Sequence, residues 1–356
     1  MNKETSIYLD AVRFLAALTV FVSHLSSQQL TGGLMWPLTH LGDQAVTVFF
    51  VLSGFVIGYV TEMRERDLRA YAVNRAARIL SVALPALALT FLLDRIGLAH
   101  DPELYLRHPS FLNPPAAVQY IASALFLNEV WGLNISPGSN LAYWSLGYEV
   151  WYYVIYGAAL FTPRRYRTAA SIATAVLAGP AIVLLLPLWL AGVGLYRLCT
   201  FAPASRAVGW ALFASSILLW GCYEVWSATQ GPLSVTTCFL QPRAQIPQDY
   251  LIAGLFAMNL YGFHAISNNF NSVLLPVGRA IQWMAGATFT LYLIHQPVLH
   301  MLVALSPWPA DSWQNRTLAV LGTVAFVFAF ASLTERRKDS WRRMIDKFVG
   351  RQARWT

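Results

Sequence analysis

Runs of about 20 predominantly apolar residues recur along the whole chain, separated by short polar segments. A helix of about 20 such residues matches the roughly 30 Å hydrocarbon core of a bilayer. The runs are continuous rather than alternating, so the pattern predicts helices and argues against a transmembrane barrel. The predicted spans cover residues 7–27, 43–61, 76–93, 142–161, 168–185, 187–201, 207–226, 249–267, 283–304 and 317–334.

Two stretches need separate interpretation. Residues 117–131 are apolar but short, so we expect a re-entrant or interfacial segment within a long connection at 94–141. The division between the fifth and sixth spans rests on Gly179, Pro180 and Pro187, which interrupt the apolar run. The predicted fold class is therefore an all-α integral membrane protein of about ten transmembrane helices.

The composition agrees with this fold class. Hydrophobic residues make up 56% of the chain and charged residues 12%, against roughly 25% charged residues in an average soluble domain. This balance excludes an ordinary soluble enzyme, a disordered chain and a nucleic-acid-binding arm. Cys199, Cys222 and Cys238 lack the spacing of a metal site, so we interpret them as small apolar fillers and predict no metal.

The distribution of positive charge predicts the orientation. With the N-terminus in the cytoplasm, 20 of the 25 Lys and Arg residues lie on the cytoplasmic side of the membrane and four lie on the outer side. The remaining one, Arg13, lies inside the first span. This split satisfies the positive-inside rule with both termini cytoplasmic. It also accounts for the net charge of +8 without a nucleic-acid partner. We expect a membrane domain at 1–334 and a basic cytoplasmic tail at 335–356.

Ionisable residues inside the first span point to function. An ionisable side chain near the bilayer centre costs about 2.5–3.5 kcal/mol on insertion scales. At about 100° per residue, Asp10, Arg13 and His24 fall within a roughly 60° arc. Arg13 and His24 are eleven residues apart, or roughly 16 Å along the helix. This face predicts a polar intramembrane cavity; the alternative is that Arg13 snorkels to the interface and His24 makes a local polar contact.

Two further features have both a structural and a functional interpretation. Ser53 and Gly54 allow close approach of another helix or of a ligand, and packing of small residues is the alternative. Arg75 and Arg78 share one face at a cytoplasmic helix end. They are either positive-inside anchors or a phosphate site, because guanidinium groups match phosphate oxygens bidentately.

The fourth and ninth predicted spans also contain polar groups. Glu149 lies about two turns inside the fourth span, roughly level with His24, among aromatic residues that include Trp144 and Tyr152. An aromatic belt at the membrane interface explains the rings but not the carboxylate of Glu149. This carboxylate either has a functional role or pairs with a structural Arg or His. His295 lies near the middle of the ninth span, where a hydrogen bond between packed helices is the alternative.

Taken in order, these motifs resemble the integral-membrane acyltransferase-3 family over about residues 7 to 304. The family is typically built from ten helices and transfers acyl groups, commonly acetyl, from acyl-CoA to hydroxyls of surface glycans, lipids or small molecules. The resemblance is greatest to stand-alone members that modify exopolysaccharides. The matching elements are Leu9-Asp10 with Arg13 and His24, Phe49 to Phe55, Arg75 with Arg78, Tyr143 to Glu149, and Tyr292 to Pro297.

The resemblance implies a role for each candidate residue. Acyl-CoA would be the co-substrate, with no permanently bound cofactor, and Arg75, Arg78 and Arg13 would bind its phosphates or pantetheine arm. His24 would be either the general base or an acyl-carrying nucleophile. Asp10 would orient Arg13, and Glu149 would orient or stabilise an imidazole or position the sugar. Ser53 would line the acyl path. Contact with the substrate would come from His295, Tyr152 and Trp144.

The predicted protein is thus a multi-pass O-acyltransferase of the bacterial inner membrane, in contact with acyl-CoA, membrane lipids and a polysaccharide or lipid-linked glycan acceptor. Within the same chemistry, a small molecule or a lipid is the alternative acceptor. A proton-coupled transporter is the competing class, because it also places Arg, His and Glu along a substrate path. Binding or hydrolysis of acyl-CoA by the purified protein would separate the two classes.

Overall fold

The computed structural model describes residues 1–65, 67–107, 109–111, 114–238 and 243–352, and this part of the chain is helical and contains no strand. Arg66, positions 108, 112 and 113 of the predicted connection, and residues 353–356 of the predicted tail lie outside the described residues. In chain order the α-helices are α1 (Lys3–His24), α2 (Gln28–Thr31), α3 (Leu41–Met63), α4 (Leu68–His100), α5 (Pro102–Leu106), α6 (Ala116–Ala124), α7 (Trp144–Phe161), α8 (Arg164–Ala178), α9 (Pro180–Phe201), α10 (Arg206–Gln230), α11 (Ile246–Ile266), α12 (Asn271–Ala285), α13 (Thr288–Ala304), α14 (Trp313–Thr317), α15 (Thr323–Leu333) and α16 (Lys338–Gln352).

The helices form two compact units. The first contains Met1–Ala16, Asp43–Arg66 and Ala175–Ala285, and the second contains Ala17–Gly42, Asp67–Thr174 and Gly286–Thr356. In the first unit α11 packs against α9 and α10. In the second unit α4 packs against α7, α13 and α16, and α13 also packs against α15. Helix α1 is continuous and contributes its beginning to the first unit and its end to the second.

Small residues bring α3 and α9 together in the first unit. A Cβ atom on Gly54 would overlap the carbonyl oxygen of Trp189, and one on Gly192 would overlap the carbonyl oxygen of Val51. Ser53 accepts a hydrogen bond from Nε1 of Trp189 (3.1 Å). The contacts of Ser53 and Gly54 therefore follow the packing interpretation.

Within the residues that the structure describes, seven helical stretches are long and apolar enough to cross a membrane. Helix α13 is apolar but shorter. Each predicted span overlaps at least one helix of the structure. The count of ten and the polar cavity remain predictions. The helix α6 has nine residues, or about 14 Å, so the apolar segment at 117–131 does not span. The seven stretches are Lys3–His24, Trp36–Met63, Leu68–His100, Pro180–Phe201, Arg206–Gln230, Ile246–Ala285 and Trp313–Lys347.

The boundary predicted near residue 186 is wrong. Helix α8 ends at Ala178, and Gly179 has a φ of 89°. That left-handed conformation is accessible to glycine at little cost. Pro180 then begins α9, where its missing N–H is harmless, while Pro187 lies inside the same helix. The break occurs at the glycine because a helix inside a membrane protein tolerates an internal proline.

The start of the ninth predicted span is also wrong, because residues 283–285 end α12 and α13 begins at Thr288. The N-terminus of α13 is capped by a side chain that is distant in the sequence. The carboxylate of Glu335 accepts hydrogen bonds from the backbone N–H groups of Phe289 (3.3 Å) and Thr290 (2.9 Å). A carboxylate at this position satisfies exposed N–H donors and interacts favourably with the helix dipole.

A buried carboxyl group in the loop between α6 and α7 provides a test of this fold. Glu129 is buried beside Gly147 of α7, and burial raises the pKa of its carboxyl to about 8. The unfolded chain loses this proton near pH 4.5, so the free energy of unfolding should fall between about pH 4.5 and 8. We expect Glu129→Gln to remove this decline. At pH values above 8 the variant should unfold at a higher temperature than the parent protein, and near pH 4.5 the two unfolding temperatures should be the same.

Thermal unfolding in detergent across this pH range measures the effect, and Glu103→Gln, which alters an exposed carboxylate, is the matched control. Parallel curves for the parent protein and Glu129→Gln would contradict the burial of Glu129 in a protonated state.

Candidate functional site

The site lies in the second unit, where the residues that precede α7 dock onto α13. Pro297 has no N–H, so the carbonyl oxygen of Leu293, one turn earlier, lacks its helical partner. The side chain of Asn140 donates a hydrogen bond to this oxygen (2.7 Å). The backbone N–H of Ala142 donates to Oε1 of Gln296 (2.8 Å). The proline in α13 thus creates an acceptor that fixes the start of α7.

The docked segment is held rigidly from its other side. Both carboxylate oxygens of Asp94 in α4 accept hydrogen bonds from Ser139, one from its backbone N–H (2.9 Å) and one from its hydroxyl (2.6 Å). Oε1 of Gln119 accepts from the backbone N–H of Gly138 (3.0 Å). These contacts satisfy buried polar groups and order the backbone immediately before α7.

We expect loss of the Asn140 contact to destabilise the fold. Asn140→Leu leaves the buried Leu293 carbonyl without its donor, which should lower the free energy of unfolding by about 1–3 kcal/mol. Pro297→Ala restores an N–H that can bond this carbonyl, so Asn140→Leu should cost less in that background. A double-mutant cycle by thermal or denaturant unfolding measures the difference. An equal cost in both backgrounds would rule out this pairing.

The end of α1 joins the same arrangement. Nε2 of Gln296 donates a hydrogen bond to Nδ1 of His24 (3.2 Å). The rings of His24 and His295 lie 5.1 Å apart between centroids with a 34° angle between their planes. His24 is half-buried and His295 is fully buried. Two predicted site residues from opposite ends of the sequence therefore contact each other.

The beginning of α7 contacts α13 directly. The hydroxyl groups of Ser145 and Tyr292 lie 2.6 Å apart and share a hydrogen bond. Glu149 follows Ser145 by four residues, so the two side chains share one face of α7. Glu149 accepts a hydrogen bond from the hydroxyl of Tyr153. This face of α7 thus presents a hydroxyl toward α13 and a carboxylate one turn further along.

The two predicted phosphate ligands on α4 have different environments. Arg75 is only 8% exposed, and its guanidinium faces the rings of Tyr71 (5.4 Å) and Tyr153 (5.8 Å). Arg78 is half-buried. Arg75 therefore lies among aromatic rings rather than on an open surface, an environment that favours a guanidinium over an ammonium group.

Arg75 also lines a cavity of about 580 Å³ between α4 and α7. The rest of its wall is mostly aliphatic and aromatic and includes Tyr71, Ile79, Val150 and Tyr153. This volume falls within the range of small-molecule and cofactor sites, which are mostly apolar with a few polar groups.

The remaining predicted residues have defined contacts. Asp10 and Arg13 form the expected i, i+3 ion pair in the first unit (3.3 Å). In the second unit Tyr152 is fully buried edge-on to Tyr148, with ring centroids 6.3 Å apart. Trp144 is half-buried and also lies edge-on to Tyr148 (5.2 Å).

The site residues predicted from the sequence did not include Asn140, Ser145, Tyr292 or Gln296. The available signal was Pro297, because a proline inside a helix leaves a carbonyl that needs another donor. Tyr292 and Gln296 lie one turn apart on the same helix as that carbonyl, within the motif already noted for His295.

A family model described as "Acyltransferase domain" matches residues 6–335 of this chain. The chain belongs to this acyltransferase family. The match includes every predicted site residue and confirms the resemblance seen in the motifs. The described part of the chain has seven helical stretches able to span a membrane, and with membership in this acyltransferase family they identify a multi-pass membrane protein.

Two relatives extend the comparison with this acyltransferase family. Acyltransferase MdmB of Streptomyces mycarofaciens is 25% identical over 364 residues, which cover 91% of this chain and 87% of MdmB. Exopolysaccharide production protein ExoZ of Rhizobium meliloti (strain 1021) is 28% identical over 134 residues, which cover 36% of this chain and 37% of ExoZ. No solved structure gives a significant match to the chain.

Proposed function

We propose that this membrane acyltransferase transfers an acyl group, with acetyl as the first choice, from acyl-CoA to a hydroxyl of a cell-surface polysaccharide or its lipid-linked precursor. The observation that carries the proposal is the contact of α1, α7 and α13 around His24, Gln296 and Ser145. The three motifs of the family are far apart in sequence, and these contacts join them within one unit.

The reaction sets three requirements. The acceptor O–H bond breaks, a C–O bond forms at the thioester carbonyl carbon, the C–S bond breaks, and the proton ends on the sulfur of CoA. The enzyme must bind CoA, remove the hydroxyl proton and stabilise the oxyanion that develops on the carbonyl oxygen. His24 and Glu149 are the titratable groups that we assign to the last two tasks.

The donor side of the proposal rests on α4 and α7. CoA has several phosphate charges, is made in the cytoplasm and does not cross lipid unaided. Arg75 and Arg78 lie at the end of α4 that positive-inside counting assigns to the cytoplasm. The cavity beside Arg75 offers apolar surface to the donor.

The acceptor side rests on the start of α7 and on the relatives. Trp144 is the accessible member of the predicted substrate-binding group, because Tyr152 and His295 are buried. The relative ExoZ is named for exopolysaccharide production, which supports a glycan acceptor here. We place the protein in the bacterial inner membrane with both termini in the cytoplasm.

Comparison of cell-surface glycans from strains with the gene, without it, and with a His24→Ala version tests the proposal. We expect O-acetyl groups on one surface polysaccharide to be present with the parent gene and absent in the other two strains. Unchanged glycan acylation in all three strains would refute the polysaccharide acceptor. Acyl groups lost instead from a lipid or a small molecule would show that the acceptor is of that class.

A further inference from the structure

Gln296 is held in one orientation by a contact on each side of its amide. A backbone N–H can only donate, so the 2.8 Å contact with Ala142 identifies the accepting atom as Oε1 of Gln296. The amide NH₂ must then be the atom that faces Nδ1 of His24 at 3.2 Å. The usual ambiguity between the two ends of a glutamine amide is thereby removed.

This orientation determines the tautomer of His24. An amide NH₂ only donates, so Nδ1 of His24 accepts and has no proton of its own. A neutral imidazole then has its proton on Nε2. The imidazolium form would direct an N–H group at the NH₂ of Gln296, and this contact therefore favours the neutral ring.

His295 is fixed in the opposite tautomer. Its Nδ1 lies 2.9 Å from the carbonyl oxygen of Leu291, which can only accept, so Nδ1 has the proton. Its Nε2 is buried and has no hydrogen-bond partner among the described residues. The two neighbouring histidines thus differ: Nε2 is a donor in His24 and an acceptor in His295.

We propose that Gln296 is a positioning residue that holds His24 neutral with its proton on Nε2, so that His24 donates a hydrogen bond to the thioester oxygen. This inference rests on the proposed acyl transfer. It assigns His24 to stabilisation of the oxyanion rather than to proton removal.

The proton of the acceptor hydroxyl then goes to another group. We assign it to the carboxylate of Glu149, which shares the face of α7 with Ser145. The hydroxyl oxygen attacks the carbonyl carbon as its proton moves to Glu149. The C–S bond breaks as the oxyanion collapses, and the departing thiolate receives the proton from Glu149.

Nitrogen-15 NMR of histidine-labelled protein in lipid bilayers reads the tautomer without any turnover. The signals of His24 are those missing from a His24→Asn sample. At pH 7 we expect the neutral form with the proton on Nε2 in the parent protein and loss of this preference in Gln296→Leu. Tyr292→Phe, one turn earlier on α13, is the matched control and should leave the tautomer unchanged.

A second variant distinguishes a change of tautomer from a folding defect. Gln296→Glu keeps an oxygen to accept from Ala142 but presents an acceptor to His24, so it should move the His24 proton to Nδ1. In this variant we expect kcat to fall about 100- to 1,000-fold, as for loss of an oxyanion donor, with little change in the KM for acyl-CoA. The pH profile of kcat should also gain an ionisation of His24.

A His24 with its proton on Nδ1, or in the cationic form, in the parent protein at pH 7 would overturn the inference. The expected tautomer shifts in a protein that transfers no acyl group would instead leave the role of Gln296 intact and refute the proposed function.

Discussion

Replacing His24 with alanine should lower kcat for acyl transfer by at least about 100-fold while the protein remains folded and still binds acyl-CoA. The expected size follows from the loss of a single donor or acid–base group at the reacting centre. The variant leaves the arginines of α4 unchanged, so calorimetric affinity for acyl-CoA should stay close to that of the parent protein. Release of free CoA thiol in the presence of acceptor measures the rate.

The control for this variant is His100→Ala, which removes an exposed histidine at the C-terminal end of α4. It should retain the parental rate. Near-normal transfer by His24→Ala would remove His24 from the chemistry, whatever its contacts with Gln296 and His295.

Removing either arginine of the α4 pair should weaken binding of the donor rather than its chemistry. A charge-assisted hydrogen bond to phosphate contributes about 1.5–3 kcal/mol, so Arg75→Ala and Arg78→Ala should each raise the KM for acyl-CoA about 10- to 150-fold. The change in kcat should be smaller, because a contact equally strong in ground state and transition state does not alter it.

Arg75 also faces the rings of Tyr71 and Tyr153, so its truncation removes packing as well as charge. Arg75→Lys keeps the charge and should recover part of the affinity. Arg69→Ala is the matched control on the same helix, since it removes an exposed pair with Asp346 (3.0 Å) and should leave the KM unchanged. Calorimetric CoA binding at parental strength by Arg75→Ala and Arg78→Ala would refute the phosphate role.

The apolar pattern of the sequence placed every predicted span on helical residues, but it missed several helix ends and the separate helix α12. Continuous apolar runs predicted α3 and α11 because burial of such runs dominates their energetics. The division between α8 and α9 was misplaced because both Gly179 and Pro187 interrupt the apolar run. The pattern does not show which of the two residues ends a helix. Only the backbone conformation of Gly179 makes this distinction.

Long-range contacts account for the other differences. The start of α13 depends on Glu335, which lies more than 40 residues further along the chain. No local pattern reveals that a carboxylate from there caps this helix. The same limit applied to the site. The motifs predicted His24, Glu149 and His295 as site residues, while the contacts that hold the start of α7 and the end of α1 to α13 come from Asn140 and Gln296.

The central claim is that acyl-CoA reacts from the face of the membrane that bears α16, through the site built around His24. The most direct measurement supplies radiolabelled acetyl-CoA to sealed vesicles of known orientation that contain glycan acceptor on both sides. We predict release of CoA and labelled glycan only when acetyl-CoA is added on the α16 side, and neither product with His24→Ala. Equal reaction from both sides, or from the opposite side alone, or label incorporated by His24→Ala, would contradict the account.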